Sequence, residues 1–352
     1  MVALILVMLI GLAAANGAND VSKGVATLAG AGVTAYRTAI LWGTAATAVG
    51  ALLSIQLGRG MGKLFSTGIF AGTPTNGFAL AVLIGAASWV TLASITKLPV
   101  STTHALVGSL IGAGLVLQSG EVRWGGLVPK VVEPLLLSIA VAYVISLVLT
   151  MLVKLLRSVT APKAAATEKV PVPAGGPATT ESETEAVAAP EAAPEAPPSR
   201  FGPINVLHWL SSGLASAARG LNDTPKIAAV GGFALIPAGY SANAVSLVVA
   251  VAMTLGSLLG IRVARRLGEK VVKLSHEEGF TANLTTAGLV GLGGVYGWPM
   301  STTQVSTGAI VGTAGLNLSR LSGKTLRDFA IAWLVTPIWG ALAGALVMAL
   351  AK

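Results

Sequence analysis

The sequence predicts an all-α polytopic membrane protein made of two inverted-topology repeats with broken helices and helical hairpins. Three observations lead there. The first is composition: of 352 residues, 53% are hydrophobic and 11% charged, mean hydropathy is +0.77, and apolar stretches recur along both halves. The second is internal repetition. Gly17-Ala18-Asn19-Asp20-Val21-Ser22-Lys23 returns 203 residues later as Gly220-Leu221-Asn222-Asp223-Thr224-Pro225-Lys226, and Pro99-Val100-Ser101-Thr102-Thr103 returns 200 residues later as Pro299-Met300-Ser301-Thr302-Thr303. The third is the placement of basic residues, which differs between the two copies as it would if they entered the membrane in opposite senses.

Taken in order, residues 1–15 are apolar, lack a basic leading segment and show no clear cleavage site. They read as an uncleaved first helix. Apolar character resumes over residues 24–35, so this helix is expected to break at Asn19-Asp20. Residues 38–57 make a second span, and a glycine-rich connector leads to residues 78–96. Pro99 then ends or kinks that segment, because it lacks an N–H and has a fixed φ. From Ser101 a small-residue helix runs to about Gln118, forming the second arm of a hairpin, and residues 127–153 give a last long span containing Glu133-Pro134. Residues 158–203 turn to Ala, Pro, Glu and Thr, the composition of a disordered linker. Beyond it the order repeats as residues 204–218, a break at Asn222-Asp223, then 227–239, 243–261, 280–298, 301–318 and 326–350, with Pro337 answering Pro134. The domains are thus a first transmembrane repeat (1–157), a cytoplasmic linker (158–203) and a second, inverted repeat (204–352).

Charge sets the expected topology. Arg262, Arg265, Arg266, Lys270 and Lys273 follow the second span of repeat two, where repeat one has only Arg59 and Lys63. The more basic loop belongs in the cytoplasm, as do the segments holding Lys154, Arg157 and Lys163 and holding Arg320, Lys324 and Arg327. Both termini then lie outside and the linker inside a cell (inner) membrane. Opposite insertion needs an odd number of crossings per repeat, a recurring plan in transporters. The net charge of +9 suits loops facing anionic lipid rather than nucleic acid, since the basic residues form no aromatic-interleaved patch. With no Cys, disulfides and thiolate metal sites are excluded.

The chemistry follows from what an apolar setting makes costly. Six of the 14 acidic residues lie in the linker, while Glu121, Glu269, Glu277, Glu278 and Asp328 fall in expected loops and Glu133 near a helix end. Asp20 and Asp223 remain as intramembrane carboxylates, suited to bind a cation, accept a proton or hydrogen-bond a substrate. The plainer reading makes each a helix cap. The Ser-Thr-Thr triplets offer hydroxyls and amides at a helix start, a cradle for an oxyanion, although Ser and Thr also join helices in membranes. His104, answered by Gln304, reads as a hydrogen-bonded helix residue, and the tryptophans as packing or interfacial anchors.

These motifs resemble those of the inorganic phosphate transporter (PiT) family, whose duplicated signature reads close to Gly-Ala-Asn-Asp-Val-Ala-Asn. The resemblance covers both halves and leaves out the linker. It implies a secondary transporter, usually a homodimer and not an enzyme, that imports inorganic phosphate by alternating access with Na⁺ or H⁺ and without a cofactor. By motif position, Asn19, Asp20, Asn222 and Asp223 would line the central site, with Na⁺ or protonated phosphate near the carboxylates. Ser101, Thr102, Thr103, Ser301, Thr302 and Thr303 would hold phosphate. Where the signature has its second Asn, this chain has Lys23 and Lys226, which would pair with the anion or with the aspartates and stand in for a sodium, or else snorkel to the interface. Another oxyanion such as sulfate, an anion channel and a membrane enzyme are the alternatives.

Overall fold

The structure is a computed structural model and describes residues 1–117, 122–160 and 202–351. Among the described residues every named element is helical, and the sole β-type pairing is an isolated bridge between Phe70 and Val122. The first half comprises α1 (Val2–Asp20), α2 (Ser22–Gly30), α3 (Tyr36–Leu57), α4 (Arg59–Lys63), α5 (Asn76–Ile95), α6 (Thr102–Leu117), α7 (Trp124–Leu127) and α8 (Glu133–Thr160). The second comprises α9 (Pro203–Leu235), α10 (Ala242–Ser257), α11 (Ile261–Lys270), α12 (His276–Tyr296), α13 (Thr302–Thr313) and α14 (Gly323–Leu350). Among the described residues five helical stretches are long and apolar enough to cross a membrane, or six if the bent pair α10 and α11 counts as one span. Their outward faces carry large apolar side chains, such as Leu137, Val148 and Leu152 on α8 and Leu334, Ile338 and Leu342 on α14, which lipid rather than water accommodates.

The two motif-bearing helices differ more than their sequences suggest. In the first half the break is one residue, Val21, still in right-handed helical conformation. Side chains sustain it, because the Asn19 carbonyl accepts from Ser22 Oγ at 2.8 Å and from Lys23 Nζ at 3.2 Å. The break expected at Asn222-Asp223 does not form: α9 is one helix through both residues, with Pro225 inside it. Pro225 removes a single amide, that toward the Leu221 carbonyl, and the close packing of α9 holds the helix together around that loss. The expected second span of repeat two also ends early, since α10 stops at Ser257 and the chain turns by 62° into α11. Glu269 therefore lies on α11, Glu277 and Glu278 in the first turn of α12, and Asp328 on α14, rather than in loops. The linker predicted over 158–203 lies mostly on residues 161–201, outside the described residues; α8 itself continues through Thr160.

Each half contains a hairpin, α5 with α6 and α12 with α13, and the two reverse in the same way. Leu98 N–H bonds the Ala93 carbonyl at 2.8 Å and Trp298 N–H bonds the Gly293 carbonyl at 2.8 Å. The pivot is left-handed in both: Lys97 at φ 63° and Gly297 at φ 72°. Gly takes this conformation freely, whereas Lys takes it at a steric cost. Both turns deliver a Pro-x-Ser-Thr-Thr segment to the start of the next helix.

The halves are laced together crosswise. α1 packs on α10 and α9 on α3, while α6 packs on α14 and α13 on α8. Small residues allow the approach: a Cβ on Gly17 would lie 2.0 Å from the Met253 carbonyl oxygen, and one on Gly50 would lie 1.8 Å from that of Ala217. At the N-terminal end of α12, the Glu278 carboxylate receives both Arg320 guanidinium nitrogens at 2.9 Å and lies 3.4 Å from Lys154 Nζ, joining α8, α12 and the turn before α14. Burial pushes the Glu278 pKa up, yet the bonds from Arg320 and from the Ser275 amide outweigh it and hold the acid below its ordinary range.

The lacing makes a direct prediction. Gly50→Ala should destabilise the purified protein by about 1–3 kcal/mol, the usual cost of overpacking. Gly11→Ala, with nothing within 4 Å of the added carbon, should leave the melting temperature unchanged or raise it slightly.

Candidate functional site

Four chain segments converge: the α1–α2 junction, the middle of α9 and the first turns of α6 and α13. Each hairpin tip is clamped by the asparagine of a motif. Asn19 Nδ2 donates to the Leu98 carbonyl at 2.9 Å and to Ser94 Oγ at 3.1 Å, and its Oδ1 accepts from Val100 N–H at 3.0 Å. Asn222 Nδ2 donates to the Met300 carbonyl at 3.1 Å and to Asp223 Oδ1 at 2.9 Å. Ser101 and Ser301 cap their helices, accepting from the amides of His104 at 3.3 Å and Gln304 at 3.2 Å. Trp333 Nε1 reaches the Pro99 carbonyl at 3.3 Å from α14, tying the first tip to the far half.

The remaining polar groups bond both within and across the halves. Thr302 Oγ1 donates to Asp20 Oδ2 at 2.9 Å. Asn16 Nδ2 donates to Thr102 Oγ1 at 2.9 Å and to Asp223 Oδ2 at 3.4 Å. Thr103 Oγ1 reaches the Met300 carbonyl at 3.4 Å, and Thr303 Oγ1 donates to the Val100 carbonyl. Lys23 Nζ bonds Asp20 Oδ1 and Asn19 Oδ1, and Lys226 Nζ bonds Thr103 Oγ1 at 2.8 Å and Asp223 Oδ1 at 3.3 Å. Neither ammonium snorkels; both side chains end inside the protein.

Every site residue predicted from sequence is therefore in one cluster, none more than 3% exposed. Two members are unforeseen, Arg219 and Asn16. Arg219 Nη2 donates to Thr47 Oγ1 at 2.6 Å and Ser257 Oγ at 3.0 Å, and Nη1 lies 3.5 Å from Asn16 Oδ1. The signal was present: with the 203-residue displacement Arg219 falls on Asn16, immediately before the paired glycines, and an arginine in an apolar stretch is as conspicuous as a carboxylate.

The cluster holds three cations, Lys23, Arg219 and Lys226, against Asp20 and Asp223, all buried. Buried charge is tolerated only when compensated, so the surplus positive charge favours an anion there. Two helix N-termini add to that preference, and Arg219 Nε, a buried donor, has no partner in the structure. Among the described residues no group of three or more His, Asp or Glu is arranged to hold a metal ion.

A multi-pass helical membrane protein with a shared, buried, cationic polar cluster at interrupted or proline-bearing helices has the architecture of a transporter. The comparisons make the class specific. The model of the phosphate transporter family matches residues 16–344, and the chain belongs to that family, one of transporters rather than enzymes. It is 29% identical over 338 residues to a probable low-affinity inorganic phosphate transporter of Mycobacterium leprae, covering 93% of this chain and 72% of the relative. It is 27% identical over 343 residues to a probable low-affinity inorganic phosphate transporter of Rhizobium meliloti, covering 94% of this chain and 90% of the relative. A solved structure described as the sodium-dependent phosphate transporter has the same fold, with a TM-score of 0.79 at 23% identity over 100% of this chain and 98% of that one.

The cross-half bonds can be tested one hydroxyl at a time. Thr302→Val leaves a buried Asp20 oxygen without its donor and should cost about 1–3 kcal/mol of stability. Thr307→Val on the same helix removes a buried hydroxyl that has no partner and should be neutral or stabilising in the same melting assay.

Proposed function

We propose that this chain is a secondary transporter that imports inorganic phosphate by alternating access, using a cation gradient of H⁺ or Na⁺. The observation that carries this reading is that the site is built from both halves and is closed to bulk water on all sides. A channel needs a continuous polar path. A carrier needs a site that one rearrangement opens to one face and another opens to the other. Because the packing is crosswise, the bodies that rearrange would each hold helices of both halves, such as α1 with α10 and α6 with α14.

The donor set suits phosphate. Thr102, Thr103, Thr302 and Thr303 supply hydroxyls without fixed charge, Arg219 supplies charge, and the starts of α6 and α13 supply amides. Entry of an oxyanion replaces the direct bonds Thr302–Asp20, Asn16–Thr102 and Lys226–Thr103, so the closed site exchanges internal partners for the substrate. Asp20 and Asp223 are acceptors when ionised. Dihydrogen phosphate has O–H groups to give them, whereas sulfate presents only lone pairs, and this favours phosphate. The reading extends to inverted repeats, to both termini outside with the linker of 158–203 on the cytoplasmic side, and to a homodimer. The support for the orientation is the basic cluster of Arg262, Arg265 and Arg266 in one half against Arg59 and Lys63 in the other.

Proteoliposomes carrying the full chain should take up labelled phosphate saturably, with uptake accelerated by unlabelled phosphate inside and little affected by equimolar sulfate. Asp20→Asn and Asp223→Asn should each lower uptake by about tenfold or more, the loss of a hydrogen bond to a charged group. Flux that neither saturates nor responds to internal phosphate would assign a channel, and full activity in both variants would remove the carboxylates from the mechanism.

A further inference from the structure

Resting on that transport reading, the question of which cation is coupled turns on what surrounds the two lysines. Lys23 Nζ sits among four oxygens: Asp20 Oδ1, Asn19 Oδ1 at 2.9 Å, the Asn19 carbonyl at 3.2 Å and the Val100 carbonyl at 3.4 Å. Lys226 Nζ sits among three: Thr103 Oγ1 at 2.8 Å, the Met300 carbonyl at 3.1 Å and Asp223 Oδ1 at 3.3 Å. A carboxylate, an amide or hydroxyl oxygen and backbone carbonyls are the hard donors that a small metal cation collects. Here each set is already collected by an ammonium fixed to the chain. The oxygens around Lys23 come from a motif helix and one hairpin tip, and those around Lys226 from a motif helix and both tips, so each ammonium links the elements that a bound cation would link.

The family resemblance allows Na⁺ near Asp20 and Asp223 as one of two coupling ions, and the residues present do not fit it. Both carboxylates are engaged by lysine, and a metal cation sharing the same oxygens would lie against a like charge in a buried site, where such repulsion is poorly screened. Both lysines are buried, 2% and 1% exposed. We infer that Lys23 and Lys226 are built-in counter-cations that take the place of sodium, and that phosphate binding and transport by this chain do not require Na⁺. A tethered charge orders the site as a bound ion does but never leaves with the cargo, so it carries no gradient. Of H⁺ and Na⁺, the proton is left to drive uptake. What distinguishes Asn in these positions is that it removes the charge and offers an oxygen in its place.

The test uses the full chain in proteoliposomes and in detergent. Labelled phosphate uptake is measured with Na⁺ replaced by K⁺ or choline at constant ionic strength, and the shift in melting temperature caused by phosphate is measured in the same salts. Uptake and shift that are equal in all three salts are expected. In the double variant Lys23→Asn with Lys226→Asn, apparent phosphate affinity from the melting shift should become higher in Na⁺ than in K⁺ by about tenfold or more. Wild-type uptake or a wild-type melting shift that is lost without Na⁺ would overturn the inference, whether or not the double variant folds, while leaving phosphate transport intact. The absence of any phosphate response in every salt would instead overturn the transport reading and the inference with it.

Discussion

Five charged side chains in the middle of an apolar bundle are the constraint that the rest of this structure answers. Asp20, Lys23, Arg219, Asp223 and Lys226 are all buried, and isolated buried charge costs several kcal/mol per ion even after relaxation. Within each motif the aspartate and lysine pair locally. What neither half can supply alone is the second set of partners: Asp20 needs Thr302, Asp223 needs Asn16, Lys226 needs Thr103, and Arg219 needs Thr47 together with Ser257. Four of the five charges therefore gain a further partner only when the halves interlock, while Lys23 is held wholly within its own half.

The backbone devices serve this meeting. A hairpin reversed at a left-handed residue brings a Ser-capped helix start to the centre, and it does so twice, once with Lys97 and once with Gly297 as pivot. The motif asparagines hold the tips, and from there Thr302 reaches Asp20 and Thr103 receives Lys226, each in the opposite half. Glycines on α1, α3, α9 and α10 let backbones approach to distances that a methyl group would forbid, which shortens the reach of every polar side chain in the cluster.

Much of this could be read in the sequence, for a physical reason: polar repetition in an apolar chain is costly and hence conspicuous. Both Asn-Asp motifs, both Ser-Thr-Thr triplets and the two hairpins were readable as local patterns. The unbroken α9 was not, because the pattern around Asn222 matches that around Asn19 and the difference lies in tertiary packing that carries a helix across Pro225. Arg219 does not stand out as a repeated residue, because the position that answers it in the first half holds the neutral Asn16. The direction of the two lysines was open from sequence alone, since a lysine four residues from an asparagine can turn inward or snorkel. The oxygens of Val100 and Met300 that receive them belong to segments 74 or more residues away.

We propose that one oxyanion is held jointly by the two halves with both lysines still on their aspartates. A structure determined with phosphate bound tests it most directly. Phosphate enclosed by Thr102, Thr103, Thr302 and Thr303 beside Arg219, with Lys23 against Asp20 and Lys226 against Asp223, is the predicted result. Phosphate held by residues of a single half, or a metal ion seated on Asp20 or Asp223 with its lysine displaced, would contradict it.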